Sequence, residues 1–121
     1  MATTRHGHVR AEAASLSAAA PIFTALGDET RLALMSRLCR DGPLSISRLA
    51  ASTPLTRQAV TKHLAVLADA GLARSERRGR EQHWRVDPSH LADVRRLLAQ
   101  ISAQWDDALD RLAEFVARGR R

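Results

Sequence analysis

The sequence has few of the residues that build a disulfide scaffold or an aromatic β core, and no apolar run long enough to span a membrane. One residue is cysteine, Cys39, none is tyrosine, and aromatic residues make up 3% of the chain. A lone thiol cannot close an intramolecular disulfide, nor can it supply a cysteine-only structural metal site within one chain. No apolar run approaches the roughly 18 residues that cross a membrane. The start of the chain lacks the apolar segment of a signal peptide, so the expectation is a cytoplasmic protein with no membrane partner. The length, 121 residues, suits one compact domain with an oligomerisation element and leaves no room for a multi-domain enzyme.

What the chain has in quantity is alanine and leucine, a balance suited to packed helices rather than to a β-sandwich. It also carries an excess of positive charge, with 19 Lys and Arg against 13 Asp and Glu, a net charge of +6. That favours a polyanionic partner. The excess is localised. Residues 48–85 hold 8 basic and 3 acidic groups, whereas residues 86–117 hold 3 basic and 6 acidic groups. A basic centre followed by an acidic arm implies that the two regions do different work.

Residues 1–14 have little apolar content and are expected to form a tail. A helix is expected from Ser15, with Pro21 either kinking it or starting a new one that carries Ile22, Phe23 and Leu26. Asp28 is a suitable N-cap for the next helix, whose apolar face includes Leu32, Leu34, Met35, Leu38 and Cys39, and Asp41-Gly42-Pro43 stops it. On that face Cys39 reads as a small buried hydrophobe. Ser45 then caps a short helix, Ser52-Thr53-Pro54 breaks it, and Thr56 opens another that runs to about Ala70 with Gly71 as its stop. Two short helices joined by a tight break form a helix-turn-helix pattern. On the second, Val60, Leu64 and Leu67 define the buried stripe, so Gln58, Thr61, Lys62 and Ala65 point outward.

The period changes over residues 72–86, where extended flanks around Arg78-Gly79-Arg80-Glu81 read as a β-hairpin with Arg77, Arg78 and Arg80 at its tip. Asp87-Pro88-Ser89 introduces a final helix from about His90 to Ala117, roughly 40 Å long at about 1.5 Å per residue. Along it Leu91, Val94, Leu98, Ile101, Trp105, Ala108, Leu112 and Phe115 follow steps of three and four, widened by Leu97, Leu109 and Val116. So regular a seam calls for a partner helix, and a helix of this length overhangs a small domain, which makes self-association the economical account. The domain is thus read as residues 15–118, with 119–121 a basic tail.

Three runs stand out: Phe23 to Leu32 (FTALGDETRL), Leu55 to Leu67 (LTRQAVTKHLAVL), and Ala70-Gly71-Leu72 leading into Arg77-Arg78-Gly79-Arg80-Glu81. On these the chain from about Pro21 to Phe115 resembles the ArsR/SmtB family of bacterial winged-helix transcriptional regulators. The resemblance implies a mostly α fold with a small β-hairpin wing and a long C-terminal dimerisation helix. It further implies a dimeric repressor that binds an operator and leaves it when an inducer arrives. In the family the first and last helices form the dimer interface, which places Ile22 and Phe23 beside Leu91, Val94, Leu98, Ile101, Trp105, Leu109, Leu112 and Phe115.

The chemistry of the outward residues agrees with double-stranded DNA as partner. A helix in the major groove reads base edges with its outward side chains, and Gln58, Thr61 and Lys62 are the base-reading candidates. Thr56 and Arg57 sit at the helix start, where N–H groups and a guanidinium grip phosphate; Thr56 reads equally well as a plain N-cap. Arg77, Arg78 and Arg80 of the wing reach backbone or minor groove. His63, on the flank of the same helix, either contacts phosphate or packs on a neighbouring helix.

Metal-sensing members of the family carry a Cys-x-Cys pair before the recognition helix or Asp, His and Glu ligands on the last helix. Here the first place reads Leu44-Ser45-Ile46-Ser47-Arg48-Leu49, and serine is not a soft-metal ligand. On the last helix Asp87 and His90 are three apart rather than two, and Gln100 stands ten residues beyond His90. No metal or cofactor is therefore expected; His6-Gly7-His8 reads as part of a solvated tail. There is no Gly-rich phosphate loop, nucleophile elbow or paired-carboxylate site, so no enzyme activity is expected either. The alternative to a sequence-specific regulator is a nucleoid-type basic protein that coats DNA without preference.

Overall fold

In a computed structural model, which describes residues 16–119, the described residues form five helices and a small antiparallel sheet. Helix α1 covers residues 16–26. It is followed by α2 (Glu29–Asp41), the short strand β1 (Leu44–Ser45), α3 (Ile46–Ala51), α4 (Arg57–Asp69), β2 (Ala73–Arg78), β3 (Glu81–Val86), a 3-10 turn (Pro88–His90) and α5 (Leu91–Gly119). Pro21 lies inside α1, which continues through it. The expected tail of residues 1–14, with His6 and His8, and the terminal Arg120 and Arg121 lie outside the described residues.

The helix boundaries follow from local chemistry. Asp28 accepts the backbone N–H of Arg31 at 3.0 Å, Ser45 that of Arg48 at 3.2 Å, and Thr56 that of Ala59 at 3.1 Å. Each bond satisfies an orphan donor at a helix start. Gly42 and Gly71, both at φ +76°, end α2 and follow the last turn of α4. Other residues resist that left-handed conformation.

The sheet has the order β1-β3-β2. β2 and β3 pair from Ala73↔Val86 to Arg78↔Glu81. Gly79 takes φ +62° in the two-residue turn between them, where a left-handed backbone suits the twist of the strands. β1 adds to the other edge of β3 through Leu44↔Trp84 and Ser45↔His83. This third strand extends the expected hairpin: two residues leave no alternation to read, and their pairing is fixed by partners far along the chain.

The core gathers Leu34, Met35 and Leu38 of α2, Leu49 of α3, Val60, Leu64 and Leu67 of α4, Leu72, and Trp84 of β3. Leu49, Val60, Leu64, Leu67 and Leu72 are completely buried. Full burial of such a side chain stabilises by roughly 1.5–3 kcal/mol. The expectation for Cys39 is corrected, since it is exposed. Leu34, Met35 and Leu38 take up the buried stripe of α2, and Cys39 and Leu32 fall outside it. Val94 and Leu97 are the buried residues of α5. Beyond Ile101 the helix runs clear of the domain, exposed from Ser102 onward, and it ends at Gly119, just past the expected Ala117.

Candidate nucleic-acid interface

Helices α3 and α4 meet across residues 52–56 as a helix-turn-helix, and burial of Val60, Leu64 and Leu67 sets the rotation of α4. The opposite face then has to carry Gln58, Thr61, Lys62 and Ala65, and all four are exposed. Arg57 is exposed beside them, at the positive end of the helix dipole. Two of the hydroxyls on this surface are already engaged. Thr56 caps the helix, and the Thr61 hydroxyl donates to the Arg57 carbonyl at 2.7 Å. The Thr61 oxygen keeps its lone pairs for a donor from outside.

His63 differs from the other candidates on this helix. It is half-buried and turned toward the start of α2, where its Nδ1 lies 3.4 Å from Arg31 Nη1 and 3.8 Å from Asp28 Oδ2. It thus lies against the neighbouring helix, one of the two placements that the sequence leaves open for it. Asp28 is held below the ordinary carboxylate range, chiefly because the Arg31 backbone N–H bonds its ionised form.

In the wing, Arg77, Arg78 and Arg80 are all exposed but not equally available. Arg77 Nε donates to the Gly79 carbonyl at 3.4 Å, and Arg78 Nε pairs with Glu76 at 3.1 Å. That hydrogen bond from Arg78 lowers the Glu76 pKa. Arg80 makes no ion pair among the described residues. Two contacts that the sequence did not reveal brace the wing. Ser47 of α3 donates to Glu81 Oε1 at 3.0 Å, tying the helix-turn-helix to β3, and Arg74 lies 3.6 Å from Asp87 at the stem. A polar residue on α3 and an acid at the turn were the available signals, but their separation of 34 in sequence hid the pairing.

The expected seam divides in two. Ile22 and Val94 are 5% and 8% exposed and belong to the protomer's own core, against which Leu91 also packs; Ile101 is half-buried. Phe23, Leu98, Trp105, Leu109, Leu112 and Phe115 are exposed, Trp105 to 64% and Phe115 to 72%. So large a contiguous apolar stripe marks an association surface. Between α1 and α5 a cleft of about 410 Å³ is lined by Ala18, Ala19, Ile22, Val94 and Leu97, with Gln100 and the paired Asp93 and Arg96 at its rim. Among the described residues no group of three or more His, Cys, Asp or Glu could hold a metal ion, and no helix is long and apolar enough to cross a membrane.

A helix-turn-helix domain family model matches residues 26–76. The chain is 37% identical over 94 residues to the HTH-type transcriptional regulator Rv2034 of Mycobacterium tuberculosis, covering 78% of this chain and 84% of that one. The solved structure of an ArsR-like transcriptional regulator from Rhodococcus sp. RHA1 is 36% identical, with a TM-score of 0.69 over 84% of this chain and 95% of that one. A homodimeric winged helix-turn-helix DNA-binding domain from Mycobacterium bovis, described as a possible ArsR-family transcriptional regulator, is 27% identical. It superposes with a TM-score of 0.60 over 83% of this chain and 89% of that one.

Proposed function

The chain belongs to the ArsR family of winged helix-turn-helix transcriptional regulators, and on that premise we propose that it is a homodimeric repressor of an inverted-repeat operator, released by a small-molecule inducer. The observation that carries the proposal is the common exposure of the α4 reading face and the arginine wing on one braced domain. Gln58, Thr61 and Lys62 read base edges in the major groove. Arg57 and the N-terminus of α4 hold phosphate, and Arg80, with Arg77 and Arg78, reaches the flanking backbone or minor groove.

The exposed stripe of α5 supports the dimer. A second copy would cover Trp105, Leu109, Leu112 and Phe115, with Phe23 and Leu98 nearer the domain. It would set two reading helices about one turn of DNA apart. The cleft between α1 and α5 supports the inducer step, because it borders both helices assigned to the interface. Its volume lies within the range of small-molecule sites, and a ligand there would bias the spacing of the two heads. A repressor of this kind would act on DNA in the bacterial cytoplasm.

The test is fluorescence anisotropy on a duplex from the gene's own upstream region beside a scrambled duplex, at two salt concentrations. A specific repressor prefers its own region by roughly 10³-fold or more. Equal binding with the same steep salt dependence would make the protein a DNA-coating one and remove the base-reading roles.

A further inference from the structure

One side chain joins the end of the first helix to the middle of the recognition helix. Arg31, in the first turn of α2, donates from Nε to the Ala25 carbonyl at 2.7 Å, in the last turn of α1. Its Nη1 lies 3.4 Å from His63 Nδ1, on α4 and next in sequence to Lys62. Its own backbone N–H is taken by Asp28 at 3.0 Å, which fixes where the side chain starts. A guanidinium is planar and offers donors only, so its two ends hold the Ala25 carbonyl and the imidazole in a fixed relation. The carbonyl it grips is at the negative end of α1, where a cation is favoured.

Because arginine cannot accept, His63 Nδ1 has to be the lone-pair nitrogen when this bond is made, and the ring proton sits on Nε2. A proton on Nδ1 would turn the ring toward Asp28, 3.8 Å away, and away from Arg31.

We propose that Arg31 is a positioning residue, a strut that sets the angle of the recognition helix against α1 through His63. Movement of α1 thereby reaches the face that carries Gln58, Thr61 and Lys62. This inference rests on the reading of α4 as the DNA-reading helix and adds the route by which an event at the α1–α5 side changes it. Neither residue touches DNA in this role. Both act through the orientation of α4.

The experiment uses the full chain with Arg31→Lys, Arg31→Ala, His63→Ala and the double variant Arg31→Ala/His63→Ala. Lysine keeps the charge but has a single ammonium, which cannot span both acceptors. Imidazole 15N spectra of the free wild-type protein above pH 8 are expected to show His63 as the Nε2–H tautomer, and both Arg31 variants to release it to a mixture. In the anisotropy assay each single variant is expected to lose about tenfold affinity for the specific duplex, within the usual span of inter-site coupling. The scrambled duplex should be bound as before. The double variant should be no worse than the weaker single one, since the two residues form one contact.

A His63 tautomer indifferent to Arg31, losses that add in the double variant, or equal losses on both duplexes would each overturn the strut. Should the wild-type chain itself fail to discriminate the two duplexes, the repressor reading falls separately. The strut is then decided on the free protein: backbone amide shifts spreading along Arg57–Asp69 in Arg31→Lys support it, and shifts confined to α2 overturn it.

Discussion

The imidazole of His90 lies against Gly71 so closely that a Cβ on the glycine would stand 2.8 Å from His90 Nε2 and nearer still to Cδ2. Gly71 follows α4 and His90 immediately precedes α5, so the two helices meet here, and a side chain at position 71 would have to turn the exposed His90 ring aside. Gly71 also has φ +76°. A left-handed backbone costs a non-glycine residue roughly 1–2 kcal/mol. Gly71→Ala is therefore expected to lower the urea midpoint by about the backbone cost, the exposed His90 ring turning aside. Gly71→Ala/His90→Ala should show the same backbone loss relative to His90→Ala. An unchanged midpoint in the single variant would show that the turn does not need glycine.

The wing arginines should separate by their partners. Arg80 has no acidic partner among the described residues, whereas Arg78 is paired with Glu76. Arg80→Ala is expected to weaken DNA binding about fivefold, on the order of 1 kcal/mol, and to reduce the slope of log K against log salt by about one. Glu76→Gln should act in the opposite direction, freeing Arg78 for phosphate and steepening the slope. Titrations over a salt series measure both, and an Arg80→Ala slope equal to wild type would place the wing tip away from the backbone.

Trp105 reports on association. It is 64% exposed in the protomer while Trp84 is 8% exposed, so a Trp84→Phe background isolates the emission of Trp105. A dimer through α5 predicts blue-shifted emission at high concentration that moves to the red on dilution. Leu112→Glu should give red emission throughout and the mass of a single chain in light scattering. Emission independent of concentration and of Leu112→Glu would mean that α5 is not the interface.

Acid sensitivity follows from the caps. Asp28 and Asp87 both titrate below their ordinary value of 3.8, Asp28 mainly through the Arg31 N–H and Asp87 mainly through the hydrogen bond from the Ser89 side chain. A carboxylate with a depressed folded pKa contributes stability that is complete above its ordinary value and lost as pH falls through the lower folded one. Chemical denaturation should thus show stability falling below about pH 4, with a shallower fall in Asp28→Asn and in Asp87→Asn. An acid limb identical in wild type and both variants would contradict the assignment.

The helix framework was readable from residues because its causes are local. An N-cap acts within three residues, as at Asp28, Ser45 and Thr56, and a buried stripe such as Val60, Leu64 and Leu67 shows its period within two turns. The same reasoning turned Gln58, Thr61 and Lys62 outward, since the rotation of one helix is set by its own apolar residues. Cys39 shows where this fails. Whether a residue at the edge of a stripe is covered depends on how wide a neighbour lies beside it, and none was positioned over Cys39.

The chain's own order of residues thus determined the helix-turn-helix, the arginine-tipped hairpin and an unusually regular apolar seam on the last helix. Tertiary structure alone decided which parts of that seam are spent inside the protomer, as at Ile22 and Val94, and which are left bare, as at Trp105 and Phe115. It also decided that His63 meets Arg31 rather than solvent, that Ser47 braces Glu81, and that Leu44–Ser45 completes the sheet. The physical reason is range. Backbone dihedrals and caps are settled by neighbours in sequence, whereas burial and pairing between distant segments exist only once the packed core has fixed the distances between them.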